Sequence, residues 1–230
     1  MDNILSASAF PVVLTITAFY IGQLCQRKWK LPLFNPTLIG MILVVAFIAV
    51  SRMDIGRYKS AMTCLSWLMT PATISLAIPM YEQFQVLKKN MGAIAAGVAA
   101  GTVTCLLILV GGGLLLHFDR GLIISLMPKS VTTAIGVSLS ELFGGMGAVT
   151  TAAIIVTGIS ANMLGVTFCK WFGITDPVAK GVAFGTAGHV IGTAKANEVG
   201  TLTGAVSSLS LVVAGLLTAV LFPVIVGFVS

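Results

Sequence analysis

Charged residues are scarce in this chain. They make up 9% of its 230 residues, whereas hydrophobic residues make up 57%. A typical soluble domain has about 25% charged residues. This scarcity excludes an ordinary soluble protein and predicts a polytopic membrane protein. Since each span takes roughly 20 residues, the chain has room for about six or seven spans and no attached soluble catalytic domain.

Residues that carry enzyme or metal chemistry are also few. The cysteines are scattered and show no Cys–Cys or Cys–His spacing typical of a metal site. No Ser–His–Asp set, phosphate-binding loop or dinucleotide motif is present. The net charge of +6 comes from basic residues in short loops, as the positive-inside rule expects. We therefore expect no enzyme activity, no cofactor, no metal and no nucleic-acid partner.

The hydropathy pattern predicts an all-α integral membrane protein of about six transmembrane helices. The predicted spans are residues 4–24, 37–51, 61–80, 91–116, 148–169 and 202–229. Two further segments, 121–147 and 181–200, are too interrupted by Pro, Gly or charged residues to be simple spans. We predict that each is a broken or re-entrant helical hairpin. For 121–147, a single crossing with a proline kink is the alternative.

The whole chain, residues 1–230, is expected to form one membrane domain with three parts. Residues 1–90 would be a three-span scaffold, residues 91–200 the hairpin-containing transport part, and residues 201–230 the final span. If both hairpins return to the side they enter from, residues 91–147 and 148–200 have opposite topologies. That is the pattern of an inverted repeat, which many transporters use.

The first polar segment is residues 128–133, with the sequence PKSVTT. Pro128 is expected to break the helix and Ser130 to cap a new one, with Thr132 and Thr133 in its first turn. A helix N-terminus beside Lys129 suits a carboxylate, which the hydroxyl groups could also bind. Alternatively, Lys129 extends to the lipid headgroups and the other residues only cap the helix.

The second polar segment is residues 185–198, which repeats a Gly-Thr-Ala triplet. Gly185, Gly188 and Gly192 have the i, i+3, i+7 spacing of one helix face, where another backbone or a ligand could come close. Thr186 and Thr193 follow two of these glycines and could bind a substrate hydroxyl or carboxylate.

Ionisable residues add two further possibilities to the second segment. His189 can titrate near neutral pH and could couple transport to protons, or it could simply be a hydrogen-bonded packing residue. Lys195 and Glu198 are spaced to form an ion pair. If they are unpaired, Lys195 is a second anion ligand and Glu198 a candidate proton carrier. In the fifth span, Asn162 is expected to hydrogen-bond to another helix.

Several motifs resemble the LrgB/CidB family over nearly the whole chain. They are Phe34-Asn35-Pro36, Pro79-Met80-Tyr81-Glu82-Gln83, the PKSVTT segment, Gly185-Thr186-Ala187 with Gly192-Thr193-Ala194-Lys195, and Ser207-Ser208-Leu209-Ser210-Leu211. There are departures: Ala134 stands where the family often has Pro, and Lys195 where it often has Arg. Lysine keeps the charge but loses the bidentate grip of arginine on a carboxylate.

The resemblance implies a multi-pass protein of the bacterial inner membrane that acts beside a small LrgA/CidA-like membrane protein. Family members are described as antiholin-like modulators of murein hydrolase export and cell lysis. Relatives that move glycolate, glycerate or pyruvate favour a secondary transporter of small monocarboxylates. The expected partners are the lipid bilayer, a small anionic substrate, the LrgA/CidA-like protein and a second copy in a homodimer.

Overall fold

The computed structural model describes residues 9–29, 34–68, 71, 74–75 and 77–229, and this part of the chain is α-helical with no β-strand. The helices are α1 (Phe10–Trp29), α2 (Pro36–Ser51), α3 (Ile55–Trp67), α4 (Ala77–Glu82), α5 (Phe84–Lys89), α6 (Met91–Leu115), α7 (Arg120–Leu126), α8 (Thr133–Leu142), α9 (Gly147–Trp171), α10 (Pro177–Val199) and α11 (Thr201–Val226). The predicted all-α class is confirmed.

Among the described residues, three helices are long and apolar enough to cross a bilayer: α6, α9 and α11. They correspond to the predicted spans 91–116, 148–169 and 202–229. Helix α2 is apolar but shorter. Residues 4–8 of the predicted first span lie outside the described residues, as do 69–70, 72–73 and 76 of the predicted third span.

Backbone contacts divide the chain into two compact units, Met1–Ser75 and Leu76–Ser230. In the first unit, α1 packs against α2 and α3. Gly22 makes the α1–α2 approach possible, because a Cβ there would lie 2.7 Å from the carbonyl oxygen of Pro36. Asn35 caps α2, accepting hydrogen bonds from two backbone N–H groups of its first turn.

In the second unit, α6 and α11 lie side by side and run in the same direction. Buried Ile94 near the start of α6 packs with Val206 near the start of α11. Leu106, farther along α6, packs with Phe222, farther along α11. Each helix has at least 25 residues and is therefore roughly 37 Å long, more than the thickness of a bilayer's hydrocarbon core.

The segment containing α7 and α8 is a helical hairpin, termed the first hairpin (residues 120–142). The backbone N–H of Met146 donates to Ser125 Oγ at 2.7 Å. Thr150 Oγ1 donates to the Ser125 carbonyl at 2.9 Å and lies 2.8 Å from Ser140 Oγ. These contacts bring the end of α8 back to α7. The chain therefore reverses within this segment, and the alternative of a single kinked crossing does not describe it.

Helix α10 also reverses, at His189, and is termed the second hairpin (residues 177–199). His189 has φ 41° and ψ −138°, outside the helical region. Phe184 and Ala196 pack in one buried cluster, whereas twelve residues of continuous helix would separate them by roughly 18 Å. Residues 177–188 and 190–199 are thus two short arms folded against each other.

The break at His189 corrects one detail of the predicted glycine pattern. Gly185 packs against the Ser207 backbone of α11, and Gly188 packs against Ala161 of α9. Gly192 lies on the other arm, where an added Cβ would be 2.7 Å from the carbonyl oxygen of Phe184. Close packing occurs at all three glycines, but the prediction that they share one helix face is wrong.

The two hairpins enter the α6–α11 pair from opposite ends. In the first hairpin, Ile123 packs with Leu106 and Phe222 in the later halves of both helices. In the second hairpin, Val182 faces Gly97 in the first half of α6, where an added Cβ would lie 3.1 Å from Val182 Cγ1. The turns of both hairpins consequently lie near the middle of the long helices.

Candidate functional site

A small cavity lies where the two hairpins meet. This central cavity has a volume of about 10 Å³, which is roughly enough for one water molecule. Its lining comes from the first hairpin, the second hairpin, α6 and α11: Thr102, Cys105, Leu106, Met127, Ser130, Val131, Thr186, Ala214 and Thr218. It therefore brings together the two polar segments that the sequence singled out.

Two hydroxyl groups of the central cavity have no hydrogen-bond partner in the described part of the chain. Thr102 and Thr186 are 4% and 9% exposed, and their Oγ1 atoms have no partner within the described residues. A buried hydroxyl without a partner costs about 1–3 kcal/mol. Unsatisfied groups of this kind, facing one cavity, are available to bind a small polar molecule.

Thr186→Val should raise the stability of the protein. The substitution keeps the side-chain shape and removes an unsatisfied hydroxyl, so we expect a gain of about 1 kcal/mol in the free energy of unfolding. Thr193→Val is the matched control, because Thr193 Oγ1 lies 2.8 Å from Ser207 Oγ and its loss leaves a buried hydroxyl unpaired. Thermal unfolding in detergent compares the stability of the two variants with that of wild type. A lower stability of Thr186→Val would show that the Thr186 hydroxyl does have a partner.

Lys129 is a half-buried cation that has no acidic partner among the residues the structure describes. Its Nζ donates to Ser130 Oγ at 3.3 Å, and Ser130 Oγ lies 3.6 Å from Cys105 Sγ of the central cavity. Within the described residues the ion pair is Lys195–Glu198, so no carboxylate neutralises Lys129. An unpaired cation in such surroundings is a ready ligand for an anion.

Lys129 also lies at a second, larger opening, termed the long groove. It has a volume of about 450 Å³ and runs between α9 and the arm 177–188 of the second hairpin. Apart from Lys129, its polar side chains include Thr157 and Ser160, near the middle of α9. The lysine thus lies between the mostly apolar long groove and the central cavity behind Ser130.

The predicted capping role of Ser130 is wrong. Helix α8 begins at Thr133, and its N-cap is Thr132, with extended backbone angles and no side-chain capping bond. Ser130 belongs to the turn before the cap, where it is held by Lys129. Thr133 is exposed, and neither it nor Thr132 lines the central cavity.

His189 is fixed at the reversal of the second hairpin. It is 3% exposed, and its Nε2 lies 2.9 Å from the carbonyl oxygen of Ile154. A carbonyl only accepts, so Nε2 carries the hydrogen, and Nδ1 is the atom left to take up a proton. Gly158 gives the ring its space, since a Cβ there would lie 2.6 Å from His189 Nε2.

Asn162 makes the cross-helix hydrogen bond that the sequence predicted. Its Nδ2 donates to the carbonyl oxygen of Ile191 at 3.0 Å. This bond joins α9 to the second arm of the second hairpin, just after the reversal at His189. It ties the start of that arm to α9.

Lys195 and Glu198 pair with each other rather than with the site. Lys195 Nζ lies 2.6 Å from Glu198 Oε2, and their side chains are 26% and 65% exposed. Neither residue lines the central cavity or the long groove. The structure thus favours the structural alternative for this pair over a second anion ligand or a proton carrier.

We expect Lys195→Ala to have little effect on the molecule. An exposed ion pair contributes about 0–1 kcal/mol to stability, so unfolding should change by no more than that. Any uptake activity should stay within about twofold of wild type, because the side chain lies outside both cavities. A loss of uptake comparable with that of a Lys129 variant would show that Lys195 touches the substrate.

Sequence reasoning missed several polar residues of the site. Thr102, Cys105 and Thr218 line the central cavity, and Thr157 and Ser160 line the long groove. Each lies within a long apolar helix, so the only sequence signal was a mid-span hydroxyl or thiol. Within the described part of the chain, no group of His, Cys, Asp and Glu is arranged to hold a metal ion.

Comparison with known proteins assigns the chain to a family. The LrgB-like family matches residues 15–228. "Antiholin-like protein LrgB" of Bacillus cereus (strain B4264) is 33% identical over 222 residues, which cover 96% of each chain. No solved structure matches significantly. This membrane protein belongs to the LrgB-like family.

Proposed function

We propose that this protein is a secondary transporter of small monocarboxylates such as pyruvate, glycolate and lactate. The observation that carries the proposal is Lys129 at the meeting point of the two hairpins, which has no acidic partner among the described residues and donates to Ser130. A cation with neighbouring donors matches a carboxylate. Its position near the middle of the long helices is where many secondary transporters bind substrate.

Each site residue has a proposed role. Lys129 binds the carboxylate, and Ser130 holds the lysine in place and donates a further hydrogen bond. Thr186 and Thr102 would hydrogen-bond a water molecule in the central cavity behind Ser130. His189, through its Nδ1, is the candidate for carrying a coupled proton. Thr132, Thr133 and Thr193 are left with supporting roles, since Thr193 is already bonded to Ser207.

The proposed mechanism is alternating access around this site. Two opposed hairpins allow the site to be exposed from either end, because each short arm can shift without breaking a full-length span. We propose six spans in all, with residues 91–147 and 148–200 as an inverted repeat and residues 1–90 as the scaffold. The protein would work in the bacterial inner membrane, as a homodimer and beside an LrgA/CidA-like protein.

The alternative function is regulation of cell lysis as an antiholin-like protein. The name of the Bacillus cereus relative favours it. In that case the protein would act by assembling with a holin-like partner through its apolar surface. The function would then be indifferent to the charge of Lys129.

Uptake by proteoliposomes separates the two functions. Purified protein is reconstituted alone or with an LrgA/CidA-like partner, and labelled pyruvate, glycolate and lactate are supplied with and without a pH gradient. Saturable uptake by the protein alone supports a self-sufficient carrier. Uptake that requires the partner supports a two-part transporter. Absence of uptake in both preparations would favour the antiholin-like function.

A further inference from the structure

The long groove is too large and too apolar to serve only the smallest acids. Its volume of about 450 Å³ falls in the range of roughly 300–1,000 Å³ found for sites that bind drug-sized ligands. A three-carbon acid would fill a small part of it. Most of its wall consists of apolar side chains, among them Leu164, Phe168 and Phe184.

The polar groups of the groove are confined to one region. Lys129 is the only charged residue in its lining, and its ammonium has no acidic partner within the described residues. Thr157 and Ser160, about one helical turn apart, lie near the middle of α9. The apolar wall then continues to Phe172 and Ile174, beyond the end of that helix. A charged head beside an apolar channel is complementary to an amphipathic anion.

We propose that the long groove receives the apolar tail of a monocarboxylate whose carboxylate binds Lys129, so that the protein prefers apolar-tailed acids to hydroxy acids such as glycolate. This proposal rests on the proposed transport function and narrows its substrate class. Thr157 and Ser160, in the same lining, would then donate hydrogen bonds to the carboxylate itself. A lipid occupying the same groove is the competing occupant.

The test is a binding series with purified protein in detergent at constant pH, which avoids the passive permeation of weak acids through liposomes. The probes are acetate, butanoate and hexanoate, with pyruvate as the reference and uncharged hexanamide as the control. Each methylene that enters the groove should tighten binding about two- to fourfold. Hexanoate should therefore bind much more tightly than acetate. Hexanamide, which has no charge, should bind weakly.

Two variants locate the tail. Ala183 and Ala187 line the groove, and changing both to Leu should fill it and flatten the dependence on chain length. Ala95→Leu, on an exposed position of α6, is the matched control and should keep that dependence. A second pair tests the head: Lys129→Met should abolish hexanoate binding, whereas Lys170→Ala with Lys180→Ala, beside the neighbouring cavity of about 240 Å³, should not.

The possible results separate this inference from the transport function. Binding of pyruvate that depends on Lys129 but shows no dependence on chain length among the alkanoates would overturn the tail proposal and leave the transport proposal standing. If hexanoate binding were lost in the Lys170→Ala, Lys180→Ala variant but kept in Lys129→Met, the carboxylate would lie at the opposite end of the groove, as a lipid headgroup would. That result would also overturn the tail proposal. Failure of every monocarboxylate to bind would refute both.

Discussion

Lys129→Met should reduce the efficiency of pyruvate uptake by about 30-fold to more than 1,000-fold. The substitution keeps the length of the side chain and removes its charge. Removing one partner of a poorly solvated charge pair costs about 2–5 kcal/mol, because the carboxylate would enter the site without a counterion. The initial rate at low substrate concentration is the quantity to measure, since it reports binding and translocation together.

Lys88→Met is the matched control for this experiment. Lys88 is exposed in the last turn of the short helix α5 and lines neither cavity, so uptake should stay near the wild-type rate. Both variants should elute as folded protein with similar melting temperatures. Equal uptake by the Lys129 variant and wild type would refute the site, whatever the family relationship.

Gly185→Ala should destabilise the protein by about 1–3 kcal/mol, which corresponds to a melting temperature lower by about 2–12 °C. The added Cβ would meet the Ser207 carbonyl oxygen, Ser210 Cβ at 2.8 Å and the Leu211 backbone nitrogen at 3.0 Å. These atoms are backbone atoms of α11 and a Cβ fixed to that backbone, so they cannot rotate away as the end of a flexible side chain can. The second hairpin would therefore have to move off α11.

Gly111→Ala is the matched control and should not destabilise the protein. Nothing lies within 4 Å of a Cβ added at Gly111 in α6, and alanine restricts the unfolded chain more than glycine does. We expect an unchanged or higher stability, by up to about 1 kcal/mol. Differential scanning fluorimetry in detergent compares the two variants. Equal melting temperatures would mean that the second hairpin does not pack closely on α11.

The sequence predicted the apolar framework well because length and hydropathy are sufficient for it. The three spanning helices were placed within a few residues of their observed bounds. Both hairpins were also anticipated, since Pro128 and the glycines interrupt otherwise apolar segments. The point of reversal in the second hairpin was not anticipated. It falls on His189, a residue with φ 41°, although non-glycine residues rarely adopt such angles.

The candidate site was predicted only in part, because the sequence does not show which side chains contact each other. Lys129, Ser130 and Thr186 were identified because polar residues stand out in an apolar chain. The partner of Lys195 was left open, because the same spacing serves an ion pair or two separate ligands, and the 2.6 Å contact with Glu198 decides it. Nothing in the sequence distinguished Thr102 from other hydroxyl residues of apolar helices. The packing of α6 places it in the central cavity with Thr186 of the second hairpin.

Counterflow of pyruvate is the measurement that tests alternating access most directly. Proteoliposomes are loaded with excess unlabelled pyruvate and diluted into labelled pyruvate at equal pH on both sides. In a carrier, a site that has released labelled pyruvate inside mostly returns outward with unlabelled pyruvate bound, because unlabelled pyruvate is in excess there. Labelled pyruvate inside the vesicles should therefore rise transiently above its final equilibrium level. Lys129→Met should abolish this overshoot. A steady approach to equilibrium without overshoot would indicate a pore, and no exchange at all would contradict transport; either result would refute alternating access around Lys129.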